Sequence, residues 1–166
     1  MKAILHVDKE WGIGKNNELM FSIPADMKFF RETTINNVVV MGNNTLKSFP
    51  NGLPLKNRVN IVLSRTASRN DCIIVKSLND LFKELKKYDT NNVYVIGGAS
   101  IYKELLPYCN EVLVTKVDAI GGADTFFENL DNNKDFELVF ESEPVETNGY
   151  TIKFTTYQNK NLKEIK

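Results

Sequence analysis

Residues 93 to 102 read VYVIGGASIY: four apolar, β-prone residues, two glycines, and a segment that continues as a helical pattern from Ala99 to Leu106 until Pro107 stops it. A short Val- and Ile-rich run bounded by turn residues reads as a buried strand. The glycines then stand where the strand ends and the helix begins. Strand, bare turn and helix in direct succession form the repeating unit of α/β folds, in which helices cover a mainly parallel sheet.

The same signature recurs outward from this stretch. Ala3 to Val7, Val38 to Met41, Val59 to Leu63, Cys72 to Val75 and Val112 to Val117 are further apolar runs, continuous as suits strands buried on both faces. Leu78, Leu81, Phe82 and Leu85 mark a helix, introduced by Ser77 with Asp80 three residues on in a capping-box-like arrangement. Another helix starts near Pro24 and is expected to bury Met27, Phe30 and Thr34. Phe136 to Phe140 and Tyr150 to Tyr157 alternate around the turn-like Thr147-Asn148-Gly149, which predicts an antiparallel hairpin. The fold class is α/β: a mainly parallel doubly wound sheet with helices on both faces and a C-terminal antiparallel hairpin. With no repeat or linker, residues 1–166 form one expected domain, its tail frayed from about 160 to 166.

Twenty-one Lys and Arg balance twenty-one Asp and Glu, so there is no basic footprint for nucleic acid or an anionic membrane. A small-molecule partner and a monomer are expected. Cys72 and Cys109 lack metal-ligand or disulfide spacing, so no metal is expected and both should be buried, reduced thiols of a cytoplasmic protein. The apolar run in MKAILHVDKE is too short for a signal peptide, and no later stretch approaches membrane-spanning length.

Two glycine turns are candidate phosphate sites. Gly97 and Gly98 leave free backbone N–H groups at a helix start, and VVVMGNNTLKS repeats the device with Gly42, where Thr45 adds a hydroxyl in the first turn. Both would lie at the carboxyl end of a parallel sheet, where ligands of such sheets bind. Gly12-Ile13-Gly14 lacks the third glycine and the following helix of a dinucleotide fingerprint, and reads as part of a flexible loop. That connection, Asp8 to Ile23, is long enough to be a lid. Ser64, Arg65 and Lys76 follow strands and could meet a ribose phosphate, although most such cations are solvated surface. Residues 19 to 26, LMFSIPAD, place one carboxylate at a helix start behind a greasy segment. An acid there complements the helix dipole, but apolar neighbours can also turn it toward a cleft.

Through GIGKNNEL, IPAD, VVVMG, PLKNRVNIVLSR, VIGGASIY, VTKVDA and ADTFF, in that order, the chain resembles the dihydrofolate reductase family along nearly its whole length. The resemblance implies NADPH-dependent reduction of 7,8-dihydrofolate to tetrahydrofolate, by hydride transfer to the pterin C6 and protonation of N5. It implies that Asp26 pairs with the pterin N–H edge and serves the proton transfer, supported by Thr115. By the same match Arg58 grips the glutamate carboxylate of the folate tail, Met27, Phe30, Phe49 and Leu55 line the benzoyl part of the pocket, and Ile4 and Ile96 its pterin end. Gly97 and Gly98, with Ala99, Ser100, Ile101 and Tyr102 of the following helix, would face the cofactor diphosphate. Gly42, Asn43, Asn44 and Thr45 would hold the adenosine side, and Leu63, Ser64, Arg65 and Lys76 would surround its 2'-phosphate. His6, Ile13, Gly14, Asn17, Leu19 and Thr125 complete the implied cofactor contacts.

Three departures from the family pattern stand out. The usual Leu-Pro-Trp before the acid is Leu19-Met20-Phe21, which removes a rigid residue and an indole N–H near the proton path. Asn43 replaces the usual Arg, so NADPH preference over NADH leans on Arg65 and Lys76. His6 replaces a small residue and is assigned no chemistry. Antifolate inhibitors are expected ligands, with altered sensitivity, including trimethoprim resistance, among the consequences. The competing readings are a pyrimidine-riboside reductase on the same fold and a non-catalytic nucleotide-binding module; Arg58 and Asp26 argue against them.

Overall fold

The computed structural model describes all 166 residues. In chain order its elements are β1 (Lys2–Val7), β2 (Gly12–Gly14), α1 (Pro24–Thr34), β3 (Val38–Gly42), α2 (Asn43–Ser48), β4 (Val59–Leu63), β5 (Ile73–Val75), α3 (Leu78–Leu85), β6 (Val93–Gly97), α4 (Ala99–Leu105), β7 (Glu111–Val117), β8 (Thr125–Phe126), β9 (Phe136–Glu141), β10 (Val145–Thr147) and β11 (Tyr150–Asn159). The main sheet runs β10-β11-β7-β1-β6-β3-β4-β5, with β9 also paired to β11. All pairs from β7 to β5 are parallel, and β11 is antiparallel to β7, β9 and β10.

Strand alternation divides the core between two faces. Val38, Val40, Ile61 and Val95 pack with Leu81 and Leu85 of α3 and Ile101 and Leu105 of α4. Val39, Met41 and Val62 face the other way, against Leu46 of α2, Phe49, Leu55 and Ile96. On that second face α1 is fastened by Phe29, whose ring stands 4.8 Å from that of Phe154 on β11. No helix is long and apolar enough to cross a membrane.

Several expectations require correction. Of the residues expected to be buried by α1, Thr34 is buried and Phe30 half-buried, but Met27 is 59% exposed. Phe29 makes the sheet contact, so Met27 falls on the rim. Asn148 and Gly149 do form a hairpin turn, with φ of 49° and 81°. The strand directly across it is β10, however, and the expected 136–140 strand is set apart by the break at 142–144, which contains Pro144. The tail is docked rather than frayed: Lys163 N donates to Pro107 O at 2.9 Å, and Ile165 packs on the core. Cys109 is buried, but Cys72 is only half-buried.

The segment Gly12–Gly14 is also more than loose loop, since it pairs with β8 as a second, two-stranded sheet. A Cβ on Gly12 would stand 2.4 Å from Ala123 Cβ, so only glycine admits this close docking. Asp8, buried at the end of β1, accepts from the backbone N–H of Glu10, Gly12 and Gly121 at 2.8, 2.7 and 3.0 Å, which ties both sides of the loop to one carboxylate.

Candidate active site

The start of α1 is fixed from a distance. Ile23 supplies no side-chain cap, and Thr147 Oγ1 instead accepts from Ala25 N at 3.3 Å while Asn148 Nδ2 donates to Ser22 O at 2.8 Å. The β10–β11 turn thereby clasps the first turn of the helix, in which Asp26 lies. Phe21 and Ile23 anchor the preceding segment in a small core with Val117 and Ile152.

Asp26 is met by two neighbouring strands. Thr115 Oγ1 donates to its Oδ1 at 2.7 Å, and His6 Nδ1 lies 3.0 Å from its Oδ2. His6 and Thr115 are register partners on β1 and β7, so the pairing of those strands sets both side chains beside the acid. The carboxylate is 14% exposed. Each carboxylate oxygen can accept two hydrogen bonds, so one position on each remains for a ligand with two adjacent N–H groups. Ile4 shares the β1 face of His6, and its carbonyl accepts from the buried Tyr102 hydroxyl at 2.8 Å. Burial, then Cys109 and Asp26, hold that phenol well above its ordinary range, so it stays neutral.

A second polar anchor stands at the far end of α1. Asp26, Phe30 and Thr34 follow at helical spacing on one side, a rise of about 12 Å over eight residues. Thr34 Oγ1 donates to Phe30 O at 2.8 Å and accepts from Arg58 Nε at 3.1 Å, while Arg58 Nη1 donates to Lys56 O at 2.8 Å. Burial, and secondarily Arg31, pull the guanidinium below its ordinary value, which still leaves it charged. Phe49, Leu55 and Ile96 pack together against the core beneath α2, with Phe30 half-buried and Met27 exposed on α1. An acid and a guanidinium thus bracket an apolar strip.

The glycine turns meet on adjacent strands. Met41 is the register partner of Gly97, so Gly42 and Gly98 lie side by side at the carboxyl end of the sheet and serve as the N-caps of α2 and α4 without any side-chain acceptor. Gly97 has φ of 122°, which a side chain rarely adopts, and a Cβ there would sit 3.4 Å from both Thr45 Oγ1 and the Tyr102 ring. Ala99 is half-buried and Ser100 exposed in the first turn of α4, whereas Ile101 and Tyr102 are buried. Leu63 and Val75 are register partners, so Ser64, Arg65 and Lys76 share one sheet end. Arg65 and Lys76 are exposed, and Ser64 Oγ accepts from Thr66 N and Ala67 N.

The long loop reaches this surface. Asn17 Nδ2 donates to Asn44 O at 3.2 Å, next to Asn43 and Thr45. Ile13 and Gly14 are half-buried in β2, Thr125 lies opposite Gly14 on β8, and Leu19 is 68% exposed at the tip. Asp124 accepts from Asn16 N at 3.0 Å; that N–H and the Thr125 hydroxyl lower its carboxyl below the usual range. Sequence reasoning missed the His6 side chain as a partner of Asp26, and Asp8 as the loop's anchor. The usable signal for His6 was its place beside Thr115 once the first strand and 112–117 are set as parallel neighbours.

The family model described as dihydrofolate reductase matches residues 1–159. The dihydrofolate reductase of Schistosoma mansoni is 35% identical over 95% of both chains. That of Bacillus subtilis is 32% identical over 95% of this chain and 94% of the relative. In structure, the chain is similar to dihydrofolate reductase from Enterococcus faecalis complexed with NADP(H) and RAB-propyl, with a TM-score of 0.83, 31% identity and 95% of both chains covered.

Proposed function

The chain belongs to the dihydrofolate reductase family, and from that premise we propose how its own side chains carry the reaction. The protein reduces 7,8-dihydrofolate to 5,6,7,8-tetrahydrofolate; NADPH, when bound, supplies the hydride for the pterin C6. The residues present fit that dinucleotide. Both glycine-turn helices begin with N–H groups that no side chain caps, which suits a diphosphate, and the bare Gly97 leaves the backbone beside Thr45 unobstructed. Arg65 and Lys76 are the cations for the 2'-phosphate, with Ser64 beside them, and Asn17 brings the loop to Asn44 over the same surface.

Asp26 accepts the two N–H groups at the pterin edge through the lone-pair positions that Thr115 and His6 leave free. It thereby orients the ring and favours protonation of N5. Ile4 and Ile96 bound the pterin, while Met27, Phe30, Phe49 and Leu55 enclose the benzoyl group. Arg58 retains its Nη2 for the glutamate carboxylate, and its held Nε gives that fork a fixed direction. The observation that carries this reading is the pair of opposite-charge anchors, Asp26 and Arg58, at the two ends of one side of α1. We take residues 1–166 as one domain acting as a cytoplasmic monomer without nucleic-acid or membrane partners, a reading supported by the balanced charge.

Asp26→Asn tests the assignment. The variant should lose most turnover at neutral pH and regain part of it in acid, where the substrate arrives already protonated. A pH–rate profile that follows wild type throughout would refute the role of Asp26.

A further inference from the structure

His6 is the only histidine of the chain, and its side chain is 6% exposed. Nδ1 faces Asp26, whereas Nε2 is buried without a hydrogen-bond partner. Buried polar atoms without partners are rare and mark strain or function. Thr115 and His6 hold opposite oxygens of one carboxylate, but they differ in kind. The threonine hydroxyl is a fixed donor at neutral pH; the imidazole can also take up a proton. With Nδ1–H donating to Asp26, the neutral ring and the carboxylate carry a net charge of −1.

We propose that His6 is a positioning residue for Asp26, donating from Nδ1 to Oδ2, so that with Thr115 on Oδ1 it fixes the carboxylate plane that meets the pterin. The proposal rests on the reading of Asp26 as the pterin anchor. Other groups around the pair leave it dominant. Phe21, whose ring centroid is 6.2 Å from the imidazole, and Thr115 carry no charge. Tyr102 on α4 feels the charge of Asp26 and stays neutral. Asp8, two residues on along β1, has its carboxylate engaged by three backbone N–H groups.

Because the histidine is unique, side-chain 15N NMR of the whole protein reads it without assignment. The expected result is a neutral ring protonated at Nδ1; in Asp26→Asn that tautomer preference should be lost. An Nε2–H neutral tautomer in wild type would overturn the proposal. Kinetically, His6→Ala should lower kcat/KM for dihydrofolate by about tenfold or more, the cost of removing a hydrogen bond to a charged group. His6→Asn, which keeps an N–H donor, should recover most of that loss. A His6→Ala variant equal to wild type, or a His6→Asn variant no better than His6→Ala, would also overturn it. If Asp26→Asn behaves as expected and the His6 variants are silent, this proposal alone fails; if Asp26→Asn is itself silent, the underlying reading fails.

Discussion

In the proposed reading, Arg58 serves both fold and ligand. Its Nε and one Nη1 proton are spent on Thr34 and Lys56, which hold the guanidinium plane. Arg58→Leu should therefore raise KM for dihydrofolate by about tenfold or more, the worth of a charge-assisted hydrogen bond. Turnover at saturation and KM for NADPH should change little in the same steady-state assay. Equal losses for both ligands would show that the arginine supports the cleft rather than the folate tail. At this scale, the contact of Thr115 with Asp26 was legible through the family resemblance. The His6–Asp26 contact was not, because it joins residues twenty positions apart through strand register, for which no local period exists.

Among the elements, α3 follows its local chemistry closely. Ser77 Oγ accepts from Asp80 N at 3.0 Å, and Leu81, Phe82 and Leu85 are buried as their spacing predicts. Ser77→Ala should cost about 1 kcal/mol by urea denaturation, the ordinary worth of an N-cap. Gly12→Ala should behave differently. The added carbon would force β2 away from β8 and disturb the Asp8 contacts, costing about 1–3 kcal/mol and slowing turnover through the loop that reaches Asn44. A variant equal to wild type in both would show that the loop tolerates undocking. Helix α1 illustrates where local pattern stops: periodicity alone could not tell that Phe29 rather than Met27 takes the sheet contact, because Phe154 comes from a strand more than a hundred residues away. Likewise the turn at Asn148-Gly149 and the antiparallel pairing of 136–140 with 150–157 were legible, but the strand directly across the turn, β10, depended on the break around Pro144.

Across the whole molecule, the parallel sheet and its two helical layers were legible because continuous apolar runs and amphipathic helices alternate along the chain. The docked tail was not, since it depends on backbone bonds to Asp135 and Pro107 and one apolar side chain. Burial of Cys109 ties stability to pH. Its thiol is pushed from an ordinary value of 9.0 up to about 12, so between those values the unfolded chain has lost a proton that the folded protein retains. That contribution is present in full below pH 9.0 and is lost as pH rises toward about 12. The buried Tyr102 adds a loss of the same sign. Urea midpoints should therefore fall on the alkaline side, less steeply in Cys109→Ala; identical slopes would contradict the burial argument.

The most direct measurement is the loss of NADPH absorbance when the purified protein is mixed with dihydrofolate. The account predicts a saturable decay that requires both ligands and proceeds more slowly when NADH replaces NADPH. Saturable binding of both ligands with no decay would contradict it.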